Sequence, residues 1–171
     1  MSQIREQADL EPGSAAGFRF ALLVSRFNAD ITGALLEGAR SALQHHGAAV
    51  DAVRVYEVPG AFELPMAAAK LADGRVDAII CLGALIRGET PHFDYLAAAV
   101  AGGISDVATR SGVPVIFGVL TCERREQAEA RAGGERGNKG TEAALAAIEM
   151  ANLFAAISPG RASDGHSSPS A

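Results

Sequence analysis

Four apolar runs, each followed by a segment of helical character, constrain this chain most: Phe18 to Ser25 (FRFALLVS), Val50 to Val58, Val76 to Gly83 (VDAIICLG) and Pro114 to Leu120. Continuous apolarity marks strands buried on both faces, as in parallel sheets covered by helices. The segments between them carry helix start and stop signals. Asn28 or Asp30 can cap a helix that runs to His46 and stops at Gly47. Pro59-Gly60 breaks the second strand, and a short Ala-rich helix follows to about Ala72. A loop is expected from Ala84 to Glu89. Thr90 then fits an N-cap with Pro91 at the first helical position, opening a helix that runs to about Ser111 and ends at Gly112. Two further helices are expected, Glu123 to Ala132 and roughly Asn138 to Ala156. There is no internal repeat. With right-handed crossovers this order gives an α/β, doubly wound, three-layer sandwich around a four-stranded parallel sheet.

The length of 171 residues suits one domain, and 49% hydrophobic residues suffice for a core. Residues 1 to 17 are polar with Pro and Gly and read as an N-terminal arm. Residues 18 to 157 form the expected domain. Residues 158 to 171, mostly PGRASDGHSSPSA, read as a disordered tail. No run approaches the ~20 apolar residues of a membrane span. The first residues lack a basic start followed by an apolar stretch, so no signal peptide and a cytoplasmic location are expected. Cys81 and Cys122 lack metal spacing and read as reduced thiols; a disulfide or a catalytic thiol is the lesser reading. The net charge of −5 argues against a nucleic-acid partner. It leaves room for a small anion, which needs only a few local donors.

In doubly wound folds, ligands bind at the carboxyl ends of the strands. That rule selects residues 26 to 28, 58 to 63, 84 to 92 and 121 to 122. Gly88-Glu89-Thr90-Pro91-His92 is the most informative stretch. A helix start offers free N–H groups and a positive dipole end to an anion. Gly88 permits close backbone approach. His92, in the first turn, is placed to move protons near neutral pH. The same residues also fit a well-capped helix with an incidental His. Phe27, at a strand end, can stack on a flat heterocycle or simply pack under the next helix. The turn from Pro59 to Glu63 can aim backbone groups at a ring such as a pyrimidine, or be a plain strand–helix turn. Phe117 is mid-strand, where core packing is the default.

Arg131, Arg136 and Lys139 flank GGERGNKG, which looks superficially like a phosphate loop. The Walker spacing fails, because Lys139 stands where glycine is required, and a solvated connector is the plainer reading. His45-His46 at a helix end read as structural, and no metal site is expected. A dinucleotide fingerprint fails because Ser25-Arg26-Phe27-Asn28 lacks glycines. A phosphoacceptor receiver fails because Gly83-Ala84 stands where an Asp is needed.

Six motifs, in order and spacing along residues 18 to 154, together resemble the lumazine synthase family. They are RFN from Arg26, VPGAFELP from Val58, LGALIRGETPHFDY from Leu82, GVPVIFGVLT from Gly112, RAGGERGNKG from Arg131 and EMANL from Glu149. The resemblance implies a flavodoxin-like sheet and a condensation reaction. The amine of 5-amino-6-(D-ribitylamino)uracil attacks the ketone of 3,4-dihydroxy-2-butanone 4-phosphate; phosphate and water leave, giving 6,7-dimethyl-8-ribityllumazine, with no metal or redox cofactor. It further implies roles for residues. Phe27 would stack on the pyrimidine. Ala61, Phe62, Glu63, Ala84, Leu85, Ile86 and Phe117 would bind the aminouracil. Glu89, Thr90 and Arg131 would receive the butanone phosphate, Glu89 through its backbone N–H. His92 would be the general acid/base, with Gly88 and Lys139 in support.

The family's site lies between subunits of a homo-oligomeric pentamer, which in some members closes into an icosahedral 60-mer. The short GGERGNKG link resembles the capsid-forming type. Riboflavin synthase is a further partner that the resemblance suggests. Two alternatives remain at this point: an archaeal-type riboflavin synthase on the same fold, and a non-catalytic flavin-binding cage protein.

Overall fold

The computed structural model describes residues 13 to 158. Most of the expected arm (1 to 12) and tail (159 to 171) lies outside the described residues. The four long strands are β1 (Phe20–Ser25), β2 (Val53–Val58), β3 (Ala78–Ile86) and β4 (Val115–Cys122). They form one parallel sheet in the order β2-β1-β3-β4. The helices are α1 (Ala29–His45), α2 (Leu64–Leu71), α3 (His92–Ser111), α4 (Arg125–Ala130) and α5 (Lys139–Ile157). The expected α/β three-layer sandwich is therefore present.

Side-chain alternation divides the core into two layers. Phe20, Leu22, Val24, Ile80 and Leu82 face Leu35 and Leu43 of α1 and Ile148 of α5. Ala21, Leu23, Ile79, Cys81 and Leu85 face Leu64 of α2 and Val100 and Ile104 of α3. Central β1 and β3 are buried almost throughout, whereas β2 (VRVYEV) is an edge strand with Val55 and Tyr56 exposed. α5 is long and apolar enough to cross a membrane by length and composition. Its buried residues Ala143, Ala144, Ala147, Ile148 and Ala151 belong to the core beside α1.

Three expectations are corrected. The second strand begins at Val53, because Val50–Ala52 form a single 3-10 turn. The third strand does not end at Gly83. Residues 83 to 86 pair with Val119, Leu120, Thr121 and Cys122 of β4, and this ladder extends the strand through the expected loop. Gly83 serves packing here: an added Cβ would lie 3.3 Å from Leu64 Cδ1 and 3.4 Å from the Ala61 Cβ. The connector after α4 is not an irregular link. It is a small antiparallel hairpin, β5 (Ala132–Gly134) and β6 (Gly137–Asn138).

Helix ends follow the sequence signals more closely. α3 stops at Gly112, whose left-handed φ of 68° ends the helix at little cost. The Asn138 side chain caps α5 by accepting from the N–H groups of Gly140 and Thr141. Of the expected arm, Ala15 is fully buried, and the Ser14 carbonyl accepts from Asn152 Nδ2 at 3.0 Å.

Candidate functional site

β1 ends at Ser25 beside Val58 of β2, while β3 and β4 run further. The sheet's carboxyl edge is therefore stepped, and a cavity of about 680 Å³ opens beside the step. Its walls come from three connections. Phe27 follows β1; Gly60, Ala61 and Phe62 follow β2; Ala84, Leu85 and Ile86 close β3; Gly88, Thr90, His92, Phe93 and Leu96 lead into α3. The volume is that of a small-molecule site, and the walls are mainly apolar with a few polar groups. Phe27 is 70% exposed and Phe62 58%, so both present open ring surface.

The start of α3 differs from expectation. Thr90 makes no cap bond. Pro91 holds the N-cap position, and its carbonyl accepts from the Asp94 N–H at 3.0 Å. Proline's φ of −64° is already helical, which brings His92 to the first helical position at the cavity wall. The N–H groups of Gly88, Glu89 and Thr90 find no acceptor among the described residues. Three exposed donors without a protein acceptor, beside a positive helix end, can exchange water for an oxyanion.

Asn28 holds the expected N-cap position of α1, with a difference at its side chain. It precedes α1 but makes no side-chain cap; its Nδ2 donates instead to the Ala84 carbonyl at 2.9 Å. Glu63 does not line the cavity. Its carboxylate turns back to accept from the Gly60 N–H at 2.9 Å, which fixes the turn carrying Ala61 and Phe62.

Phe117, Arg131 and Lys139 lie apart from this cavity. Phe117 is 40% exposed, against the expectation of core packing, because β4 is the other edge of the sheet. It lines a separate groove of about 360 Å³ with Lys139, Glu142 and Glu149. Lys139 pairs with Glu142, and its N–H donates to the Arg131 carbonyl at 2.8 Å across the base of the hairpin. Arg131 is half-buried, with Nη1 donating to the Gln127 carbonyl at 2.9 Å, and lines neither hollow. One chain thus divides the expected residues between two separate hollows, with Arg131 in neither.

A family model described as 6,7-dimethyl-8-ribityllumazine synthase matches residues 17 to 155. The chain belongs to the 6,7-dimethyl-8-ribityllumazine synthase family. The match takes in both hollows and every expected site residue. The family's activity is the condensation of the aminouracil with the butanone phosphate, a transferase reaction of riboflavin biosynthesis, on small-molecule substrates. The match supports neither the riboflavin synthase nor the non-catalytic alternative.

Phe93 and Leu96 are cavity residues that sequence reasoning missed; Leu96 stands one helical turn after His92, which was an available signal, whereas Phe93, next to His92, carried none. Arg87 was also missed, although it stands within one of the quoted motifs. Its partners Asp94 and Glu123 are on other elements, so no local pattern marks it.

Proposed function

We propose that the cavity beside α3 binds both substrates of the condensation, with Phe27 stacking on the pyrimidine. Ala61, Phe62, Ala84, Leu85 and Ile86 enclose the aminouracil, and Glu63 sets the turn that presents two of them. Thr90 in the cavity wall, and Glu89 beside it but outside the lining, receive the phosphate through backbone N–H groups, with Gly88 leaving space for it. His92 is the acid/base for imine formation and ring closure. The observation that carries this reading is the meeting of open N–H donors, an imidazole and exposed aromatic rings at one cavity.

Phe117, Arg131 and Lys139 then serve the cavity of a neighbouring copy, with Arg131 against the phosphate. Their separation from the cavity on their own chain supports this reading. A homo-oligomer follows. We favour a pentamer assembling to a 60-mer, on the short hairpin between α4 and α5. The catalytic domain covers residues 18 to 157, between an arm (1 to 17) and a tail (158 to 171), and works in the cytoplasm, where riboflavin synthase is a candidate partner.

Mixing the protein with both substrates and following lumazine absorbance tests the reaction; riboflavin formed from lumazine alone would point to the other enzyme class. Light scattering tests the assembly, and a mass near five chains would exclude the cage.

A further inference from the structure

We propose that Arg87 is a positioning residue for the phosphate-bearing substrate, its guanidinium bridging Asp94 and Glu123 so that the turn between β3 and α3 keeps its N–H groups open and His92 in place. The inference rests on the reading of residues 88 to 92 given above. Arg87 follows directly on β3, and its N–H donates to the Cys122 carbonyl at 2.9 Å, which continues the β3–β4 ladder by one bond. From that anchor the side chain reaches across the turn. Nη1 and Nη2 donate to the two carboxylate oxygens of Asp94 at 2.8 and 2.7 Å, in the bidentate fork that only guanidinium supplies. Nε donates to Glu123 Oε2 at 2.7 Å. The guanidinium carbon lies 4.4 Å from the centre of the Phe93 ring, itself a wall of the cavity.

These contacts close residues 87 to 94 into a ring. Inside it lie the three unpartnered N–H groups and His92. Arg87 itself does not line the cavity, and two carboxylates already answer its charge. It therefore acts on the anion through the shape of the turn, not as its counter-ion. The bridge between Asp94 and Glu123 also joins the start of α3 to the segment after β4, so one side chain ties two connections at the carboxyl edge. Because all three groups keep contact with water, the network adds little to global stability. Its removal should loosen the turn without unfolding the protein.

Steady-state kinetics in both substrates test this on Arg87→Met, Asp94→Asn and the double variant, with His92→Ala alongside. Arg87→Met and Asp94→Asn should each raise the KM for butanone phosphate about tenfold and lower kcat a few-fold, since small displacements of reacting groups are costly. The aminouracil KM should stay within about twofold, and the double variant should be no worse than Arg87→Met, as for residues acting as one unit. Arg87→Lys should recover little of the loss. A folded Arg87→Met with unchanged butanone phosphate KM, an equal rise in both KM values, or additive losses in the double variant would overturn the role. If Arg87→Met does not fold, Asp94→Asn carries the same comparison with almost no change of shape. His92→Ala separates the two levels: wild-type turnover there removes the site itself, whereas a slowed His92→Ala beside an unaffected Arg87→Met removes only the positioning role.

Discussion

The side-chain amide of Asn28 donates to the carbonyl of Ala84 at 2.9 Å, tying the turn that carries Phe27 to the last part of β3. Asn28 has φ 57° and is the only non-glycine with positive φ among the described residues. The left-handed backbone and the cross-strand bond hold the turn together.

Two variants separate those contributions. Asn28→Gly keeps the left-handed backbone and loses the amide; Asn28→Ala loses the amide and pays the steric cost of about 1–2 kcal/mol. Urea melts should find Asn28→Ala the less stable by about that amount. Both should raise the aminouracil KM more than the butanone phosphate KM, because Phe27 is the residue released. Equal stabilities would mean that the left-handed turn relaxes in the variant.

His92→Ala should slow turnover without abolishing it. General acid–base help is worth about 10²–10⁴ in rate. Holding two substrates together supplies acceleration that survives the substitution. The measurement is kcat in the two-substrate assay, and an unchanged value would remove the imidazole from the mechanism.

The contact between α1 and α5 leaves no room at Gly140. A Cβ there would lie 1.9 Å from the Leu35 carbonyl oxygen, a backbone atom that cannot swing aside. Gly140→Ala should therefore cost about 1–3 kcal/mol or more, as overpacking does. Asn138→Ala loses the α5 cap and the bond from Nδ2 to the Ala34 carbonyl, and should cost about 0.5–2 kcal/mol from the cap alone. Denaturant midpoints would order the two.

The thiols should be silent in the folded protein. Burial pushes Cys81 up to about 12, and it has no exposed surface. Burial also raises Cys122, with Arg131 opposing. A disulfide reagent at pH 8 should label neither until urea is added; rapid native labelling of Cys81 would show that β3 opens readily. Cys81 is raised in the fold above its ordinary 9.0, so its contribution is complete below that pH and is lost as pH rises towards about 12. Stability should fall less steeply over that interval in Cys81→Ala than in the native chain.

How far the site was legible depended on the range of the interactions that build it. Phe27, Ala61, Phe62, Gly88, Thr90 and His92 follow strand ends, and Ala84, Leu85 and Ile86 are the last residues of β3; a general rule about parallel sheets points there, and they do meet at one cavity. Thr90 was misread as a cap because Ser/Thr before Pro is a local signal. The actual N-cap is Pro91, whose ring presets the helical φ. Asn28 does hold the N-cap position of α1, but its side chain makes no cap bond, and its amide donates across to Ala84, which no local pattern signals.

The sequence by itself determined the layers. Apolar continuity in β1 and β3, the stop signal at Gly112 and the approximate start of the last helix at Asn138 are local chemistry acting through backbone geometry and burial. Only the tertiary structure decided where β3 ends, that Asn28 meets Ala84 from 56 residues away, that Arg87 gathers Asp94 and Glu123, and that Phe117 and Lys139 line a groove separate from the cavity of His92. Those outcomes depend on strand register and on which strand lies at the edge. Both are settled by the sum of packing over the whole sheet, so no short stretch of sequence encodes them.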